Sequence, residues 1–401
     1  MKTTLEFADL KFSEEKEKIK VDFMKNYYFY LEKKELEKIG NTKTEQNKLI
    51  IDASEKKVNN KFYPLLNKAF LELKHKIRNK DTIYIHKNLG LPLIGTNEFG
   101  LVDRGSNIIE IKPLTGCNLS CIFCSVFEGK NDKKDIVIEE EYLVEEFEKL
   151  AKIKKHPIEA NIGPQGEPML YPKFLELVRD LKKIPNVEVI SVNTNGLFLN
   201  KKNIDELADA GLTRINLSLH TTDKKLADKL ADAPYNVEQV LKMIKYCEGK
   251  IDVLLAPVLI PGYNEKEIDK IIQLSKTIKN KKYPSIGIQN FLNYKGGRNL
   301  TKQISWDEFY EFLKQKEKQH DIKLIVNENI FNIQKDKTLE KPFKKGHIIT
   351  VEIITEGRNK NEVLGRSKNR AITILNCKQK KGTIKVKLLR DKHNIYTAIP
   401  I

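Results

Sequence analysis

The chain reads as an α/β protein in three parts: a helical N-terminal region over 1–106, a partial (β/α)6 barrel over 107–333, and a small all-β barrel over 341–401. Three observations predict this. Apolar strand-like runs alternate with helical patterns through the middle of the chain, which implies right-handed βαβ units and a parallel sheet. The last sixty residues switch to period-two alternation between Gly-containing turns. The first eighty mix charged residues with aromatic and aliphatic ones at helix-like spacing.

In order, Phe7–Ile39 combines Glu and Lys with Tyr27, Tyr28, Phe29, Tyr30 and Leu31, and is expected to be helical. So is Asn60–Ile77, which carries Phe62, Leu65, Leu66, Phe70 and Leu73. Residues 82–106, with Gly90, Gly95, Gly100 and Gly105, read as short strands over the entrance to the main domain. Six barrel strands follow at Ile108–Leu114, Ile158–Ile162, Glu188–Val192, Arg214–Leu219, Ile251–Leu259 and Ser285–Phe291. Five helical patterns separate them: Glu139–Ile153, Lys173–Lys183, Lys202–Ala210, Val237–Glu248 and Glu265–Thr277. Asp307–Gln319 reads as a terminal helix capped by Ser305, and a Lys-rich linker spans Gln334–Lys345. Five strands close the chain, at Ile348–Ile354, Glu362–Arg366, Ala371–Leu375, Lys385–Leu389 and Ile395–Ile399, and read as an OB-type barrel.

Composition narrows the function classes. No apolar run is long enough to cross a membrane, and the N-terminus lacks an apolar signal core, so a cytoplasmic protein without membrane partners is expected. The net charge is +17, with pI near 9.3. Residues 341–401 hold fifteen Lys and Arg against four Asp and Glu, a balance of +11. That concentration is an electrostatic footprint for a polyanion, although a solvated basic surface would look the same. The five cysteines are too few for a disulfide framework in a chain of this size.

Three of them crowd into Cys117-Asn118-Leu119-Ser120-Cys121-Ile122-Phe123-Cys124, directly after the first barrel strand. Thiolates at short spacing can present several sulfurs to one iron–sulfur cube. Three of them leave the fourth iron open, as a binding position. Zinc is the alternative, but it needs a fourth ligand, and no other Cys or His lies within twenty residues.

Here the sequence resembles the radical S-adenosylmethionine (SAM) superfamily, whose signature is CxxxCxxC in the loop after strand one. The resemblance implies a [4Fe–4S] cluster on Cys117, Cys121 and Cys124, with Phe123 packed on the adenine of SAM. After strand two, Gly163-Pro164-Gln165-Gly166-Glu167-Pro168 looks like the family's GGE-P segment, with Gln165 in place of its first Gly. It implies that Gly166, Glu167 and Pro168 hold the SAM ammonium; a solvated turn is the plainer reading. Strand three ends in Asn193-Thr194-Asn195-Gly196, similar to the family's "TNG", and strand four in Ser218-Leu219-His220. The family often has Ser and an acid there, so His220 departs from it; a lone His is more often packed than catalytic. Val258 stands where the family contacts adenine, and core packing accounts for it equally well. The resemblance covers roughly 107 to 300 and implies reductive cleavage of SAM, with an electron from a one-electron donor such as a ferredoxin or flavodoxin.

The C-terminal run around Gly357-Arg358-Asn359-Lys360 and Val363–Arg370 resembles a TRAM domain, an OB-like RNA-binding barrel appended to tRNA- and rRNA-modifying enzymes. It implies RNA contacts from Arg358, Lys360, Arg366, Lys368 and Arg370. The whole chain looks like an archaeal group that combines these two domains. Cysteine counting limits the reaction. No cysteine precedes Cys117, so the second cluster of RNA methylthiotransferases is missing, and Cys247 and Cys377 lack the contexts of adenine-C2 methylases. Modification of an RNA base is the leading expectation, against modification of a protein or small molecule and against a non-enzymatic iron–sulfur RNA-binding protein. Because every cluster and SAM residue lies upstream of 341, removal of 341–401 is expected to leave SAM cleavage intact.

Overall fold

The computed structural model describes every residue except Met1, Lys130, Asn327 and the side chain of Glu328. The chain forms two compact units, Met1–His86 with Lys133–Val137, and Lys87–Asp132 with Ile138–Ile401.

The first unit corrects the helical expectation. Of Phe7–Ile39, only Lys33–Glu37 is helical. The rest builds an antiparallel sheet ordered Leu10–Glu14, Lys18–Phe23, Tyr27–Glu32, Lys74–His75. The physical reason is a period of two. Ile19, Val21 and Phe23 are buried on one strand and Tyr27, Phe29 and Leu31 on the next, while Lys18, Lys20, Tyr28 and Tyr30 point the other way. The turn between them holds Met24 and Lys25 at positive φ. The other helical expectation fares better, since a helix covers Glu55–Phe70 and buries Val58, Phe62, Leu66 and Ala69. Its Phe70 ring lies 5.1 Å from Phe23 and 4.7 Å from Phe29, which seals helix to sheet.

The second unit is organised on a six-stranded sheet. Its parallel strands Ile108–Lys112, Ile158–Ile162, Val187–Thr194, Arg214–Leu217 and Asp252–Leu255 lie side by side in chain order, and Gly100–Asp103 adds an antiparallel edge. A sixth parallel strand begins beside the fifth at the Leu255–Ile286 bridge and continues as Gln289–Asn290 beside Val258–Leu259. The six-fold repeat expected from the sequence is therefore present, as an open rather than a closed arc. Its helices show why they form where they do. Asn200 and Asn203 close a capping box on Lys201–Ala210, and Ser305 and Glu308 close another on the terminal helix Trp306–His320.

The last sixty residues form a closed barrel of Ile348–Glu356, Val363–Ser367, Arg370–Ile374, Gly382–Arg390 and Thr397–Pro400. The first three strands meander. The fifth pairs parallel to the third, the fourth lies between the fifth and the first, and the fourth and first pair antiparallel. Val351, Ile372, Ile374, Val386 and Leu388 fill the interior around Tyr396, with Phe343 edge-on to its ring at 5.6 Å. This barrel is sewn to the rest of its unit. Ala371 N–H donates to the Ile94 carbonyl at 2.8 Å and Tyr396 N–H to that of Gly95 at 2.7 Å. Gly95 is at φ +145, and a Cβ there would meet the Ala371 carbonyl oxygen at 2.0 Å, so only glycine fits the seam. Among the described residues, no helix is long and apolar enough to cross a membrane.

Candidate active site and basic barrel

The C-terminal ends of the parallel strands surround a cavity of about 330 Å3, the expected place for a site on such a sheet. Cys117, Cys121 and Cys124 all line it. Backbone bonds fix the loop that carries them. Ser120 N–H donates to the Ala231 carbonyl at 3.0 Å and Ile122 N–H to that of Leu230 at 2.9 Å. Sequence reasoning missed the strongest support, Arg298, which comes from the loop after the sixth strand. Its backbone N–H reaches the Cys124 carbonyl at 2.9 Å, and its guanidinium reaches the Ser120 carbonyl at 2.6 Å and Asp232 at 3.2 Å. It also lies 5.4 Å from the Phe127 ring centroid.

The three thiols share the wall of this cavity. Burial raises the Cys121 thiol to about 12 and drives that of Cys117 further up. Without a cationic centre these groups stay protonated; iron would bind them as thiolates. Backbone N–H groups of Leu119 and Phe127 already point at the sulfurs of Cys117 and Cys124, at 3.4 and 3.1 Å. Such bonds stabilise sulfur ligands that carry negative charge.

The Gly163–Pro168 segment wraps against this loop. Gly166 is at φ +62, and a Cβ on it would lie 2.4 Å from the Gly116 carbonyl oxygen. Glycine is needed there because two backbones meet. Glu167 follows, its N–H on that same carbonyl at 2.8 Å. Its buried carboxylate accepts from Thr194 Oγ1 at 2.7 Å, Met169 N–H at 3.0 Å and Asn195 N–H at 2.8 Å. Desolvation raises its pKa to about 7 in spite of these donors. Among the described residues it has no cationic partner. A desolvated carboxylate facing a cavity beside three cysteines fits a ligand ammonium.

Of the residues expected to hold SAM, Phe123, Gly166, Glu167, Asn193, Asn195, Ser218, His220 and Val258 line this one cavity. Pro168 does not. It is buried as the first residue of the 3-10 turn Pro168–Leu170, behind Glu167, so its role is to shape the turn that the Glu167 carboxylate caps. His220 stands edge-on to Phe123 at 4.6 Å and accepts from Val258 N–H through Nδ1 at 3.1 Å. Desolvation lowers its pKa to about 4, so it is neutral with its proton on Nε2. Asn195 is tied to Asn118 of the cysteine loop at 2.8 Å. Asn193 belongs to a ladder across the sheet, donating to Asn161 at 3.0 Å and accepting from Asn216 at 3.0 Å. The spare cysteines Cys247 and Cys377 are both buried away from this cavity, Cys377 in the barrel core.

The residues expected to touch RNA divide. Lys360, Arg366 and Lys368 are exposed, although Arg366 is bonded to Glu352 at 2.8 Å and to the Gly90 carbonyl at 3.1 Å. Arg358 and Arg370 are corrections. The Arg358 side chain is wholly buried against Glu128. Arg370 is buried and donates to the carbonyls of Asn369 and Glu340, each at 2.9 Å. Neither is available to a phosphate, because a buried cation is retained only where its donors are satisfied internally.

The radical SAM superfamily model matches residues 111–275. Uncharacterized protein MJ0103 of Methanocaldococcus jannaschii is 40% identical over 357 residues, which is 81% of this chain and 82% of that protein. GTP 3′,8-cyclase of Listeria monocytogenes is 36% identical over 180 residues, 43% of this chain; the chain thus spans about half, 51%, of that enzyme's length. A solved structure of Streptococcus suis SuiB bound to S-adenosylmethionine aligns over 80% of this chain and 71% of SuiB, at 15% identity and a TM-score of 0.42. Proteins of the superfamily use a [4Fe–4S] cluster and SAM. The chain belongs to the family of the Methanocaldococcus protein, and its residues 111–275 carry a radical SAM superfamily domain.

Proposed function

We propose that this chain cleaves SAM reductively to modify a base in tRNA or rRNA, and that its C-terminal barrel holds the RNA. The observation that carries the RNA half of the reading is a strip of unpaired cations. Lys385 and Lys387 project from the outer side of the fourth barrel strand, whose Val386 and Leu388 point inward. Lys344 and Lys345 lie in the turn that joins this strand through Gly346 N–H to the Leu388 carbonyl, at 2.8 Å. All four are exposed, and among the described residues none has an ion-pair partner. Residues two apart on a strand stand about 7 Å apart on one face, a spacing that can follow a sugar–phosphate backbone. The strand order, with the third and fifth strands parallel, supports an OB-type, TRAM-like barrel. The strip moves the expected RNA surface away from the Arg366–Arg370 hairpin, whose arginines are bonded elsewhere.

Each side chain at the site has a definite task. Glu167 receives the SAM ammonium, Phe123 and His220 form an edge-on wall for an adenine, and Asn195 ties the third strand to the cysteine loop. When bound, the cluster and SAM supply the one-electron chemistry that no protein group provides. On this reading the electron comes from a ferredoxin- or flavodoxin-like donor in the cytoplasm.

Mass spectrometry of nucleosides from a deletion strain tests the reading: one modified nucleoside of tRNA or rRNA disappears and returns on complementation. An unchanged nucleoside profile, with SAM cleavage intact in vitro, moves the substrate to a protein or small molecule. For the barrel, Lys385→Glu with Lys387→Glu should weaken RNA binding and flatten the log–log salt slope by roughly 1.4, at about 0.7 per lost phosphate contact. Arg366→Glu should change both less.

A further inference from the structure

We infer that Arg358, a residue of the C-terminal barrel, is a positioning residue for the cofactor pocket, acting through Glu128 and Gln165. The barrel then braces that pocket from behind, through Glu128, and is not a detachable RNA module.

Arg358 sits in the turn between the first two barrel strands. Glu362 stiffens that turn: its carboxylate accepts from Arg358 N–H at 2.9 Å and from Asn359 Nδ2 at 2.7 Å, and its backbone carbonyl accepts from Gly357 N–H at 2.7 Å. The turn thrusts the guanidinium out of the barrel and into the neighbouring core, where its side chain is 0% exposed. There Nη1 donates to Glu128 Oε1 at 2.8 Å and Nη2 to Oε2, a two-pronged pair, with Glu98 3.6 Å from Nη1. Glu128 lies four residues after Cys124 and lines the cofactor cavity. Its Oε1 also accepts from Gln165 Nε2. Gln165 is 2% exposed and directly precedes Gly166 and Glu167. The chain of contacts therefore runs from the barrel turn, through the end of the cysteine loop, to the segment that presents the carboxylate for the SAM ammonium.

A buried ion pair need only hold two parts together, and apolar residues would do that equally well or better. What an apolar pair cannot do is accept a hydrogen bond from Gln165. Glu128 supplies the acceptor that holds Gln165 inside the protein, and its two-pronged bond to Arg358 fixes that acceptor in place. On this inference Gln165 has a reason to stand at its place in the Gly-Pro-Gln-Gly-Glu-Pro segment, and SAM chemistry depends on residues 341–401, against the expectation from the sequence.

The test uses the full-length, cluster-reconstituted protein, with iron content, thermal midpoint, SAM Kd and the electron paramagnetic resonance spectrum of the reduced cluster with SAM as readouts. Glu128→Leu with Arg358→Met replaces the pair by apolar residues and should restore the thermal midpoint lost in Arg358→Met alone. Its SAM Kd should stay raised, by roughly three- to tenfold, the worth of one hydrogen bond that orients the Glu167 loop. Gln165→Leu, with the ion pair intact, should raise the Kd by a similar factor and shift the SAM-dependent spectrum while iron content stays the same. A wild-type Kd and spectrum in Gln165→Leu would overturn the inference, whether or not the double variant folds, as would a wild-type Kd in a folded double variant. The pair would then be only a structural clamp.

Discussion

Glu167 offers the sharpest test of the cofactor site. A carboxylate has about four acceptor positions, and three protein donors already occupy this one: Thr194 at 2.7 Å, Met169 N–H at 3.0 Å and Asn195 N–H at 2.8 Å. One position remains for a ligand. Glu167→Ala would strand all three donors in a buried place, at about 1–3 kcal/mol each, and would confuse misfolding with lost affinity. Glu167→Gln is cleaner. The amide oxygen can keep Thr194 and Met169, and only the Asn195 N–H faces a donor, for a stability loss of about 1–3 kcal/mol. The missing charge removes a charge-assisted bond to the SAM ammonium, about 1.5–3 kcal/mol, so SAM affinity should fall by roughly 10- to 150-fold. Equilibrium dialysis against labelled SAM, with iron assayed on the same samples, separates the two effects. An unchanged Kd in Glu167→Gln, with iron retained, would refute the reasoning and leave Glu167 as the cap of the Pro168–Leu170 turn.

The remaining predictions concern the cluster, the backbone around it and one buried acid. Cys117→Ala, Cys121→Ala and Cys124→Ala should each abolish the visible absorbance of the reconstituted protein or its production of 5′-deoxyadenosine. Cys247→Ala and Cys377→Ala should keep both, because those sulfurs lie in packed surroundings away from the cavity. Gly166→Ala drives a methyl group into the Gly116 carbonyl at positive φ, so it should reduce iron incorporation and lower the thermal midpoint. Glu140 is buried with Oε1 unpartnered, and desolvation raises its pKa to about 7 from an ordinary 4.5. The folded state then binds the proton more tightly than the unfolded state, so stability falls as pH rises from about 4.5 to 7. Glu140→Gln should raise the thermal midpoint at pH 8, and the gain should vanish below about pH 4; an equal gain at both values would show that desolvation is not the cause.

What could be read from the sequence follows the range of the interactions involved. The six barrel strands, the terminal helix with its Ser305 cap and the five C-terminal strands were legible because each is encoded by a local pattern of burial, turn and cap residues. The cysteine triplet was legible for the same reason: three ligands on one turn of backbone carry their geometry with them. The N-terminal sheet is harder to read although its signal is also local. Lys18–Phe23 and Tyr27–Glu32 alternate buried and exposed residues, but the abundance of Glu and Lys around them, good helix formers, masks the period of two. Only the tertiary structure could decide the fates of the arginines. Arg298 meets Ser120 across 178 positions and Arg358 meets Glu128 across 230, and nothing near either residue in the chain marks its partner. An arginine on a basic, strand-rich segment looks the same in sequence whether it faces a phosphate or a buried carboxylate. The difference is the free energy of desolvating its charge, and that depends on what the fold brings to within 3 Å of the guanidinium.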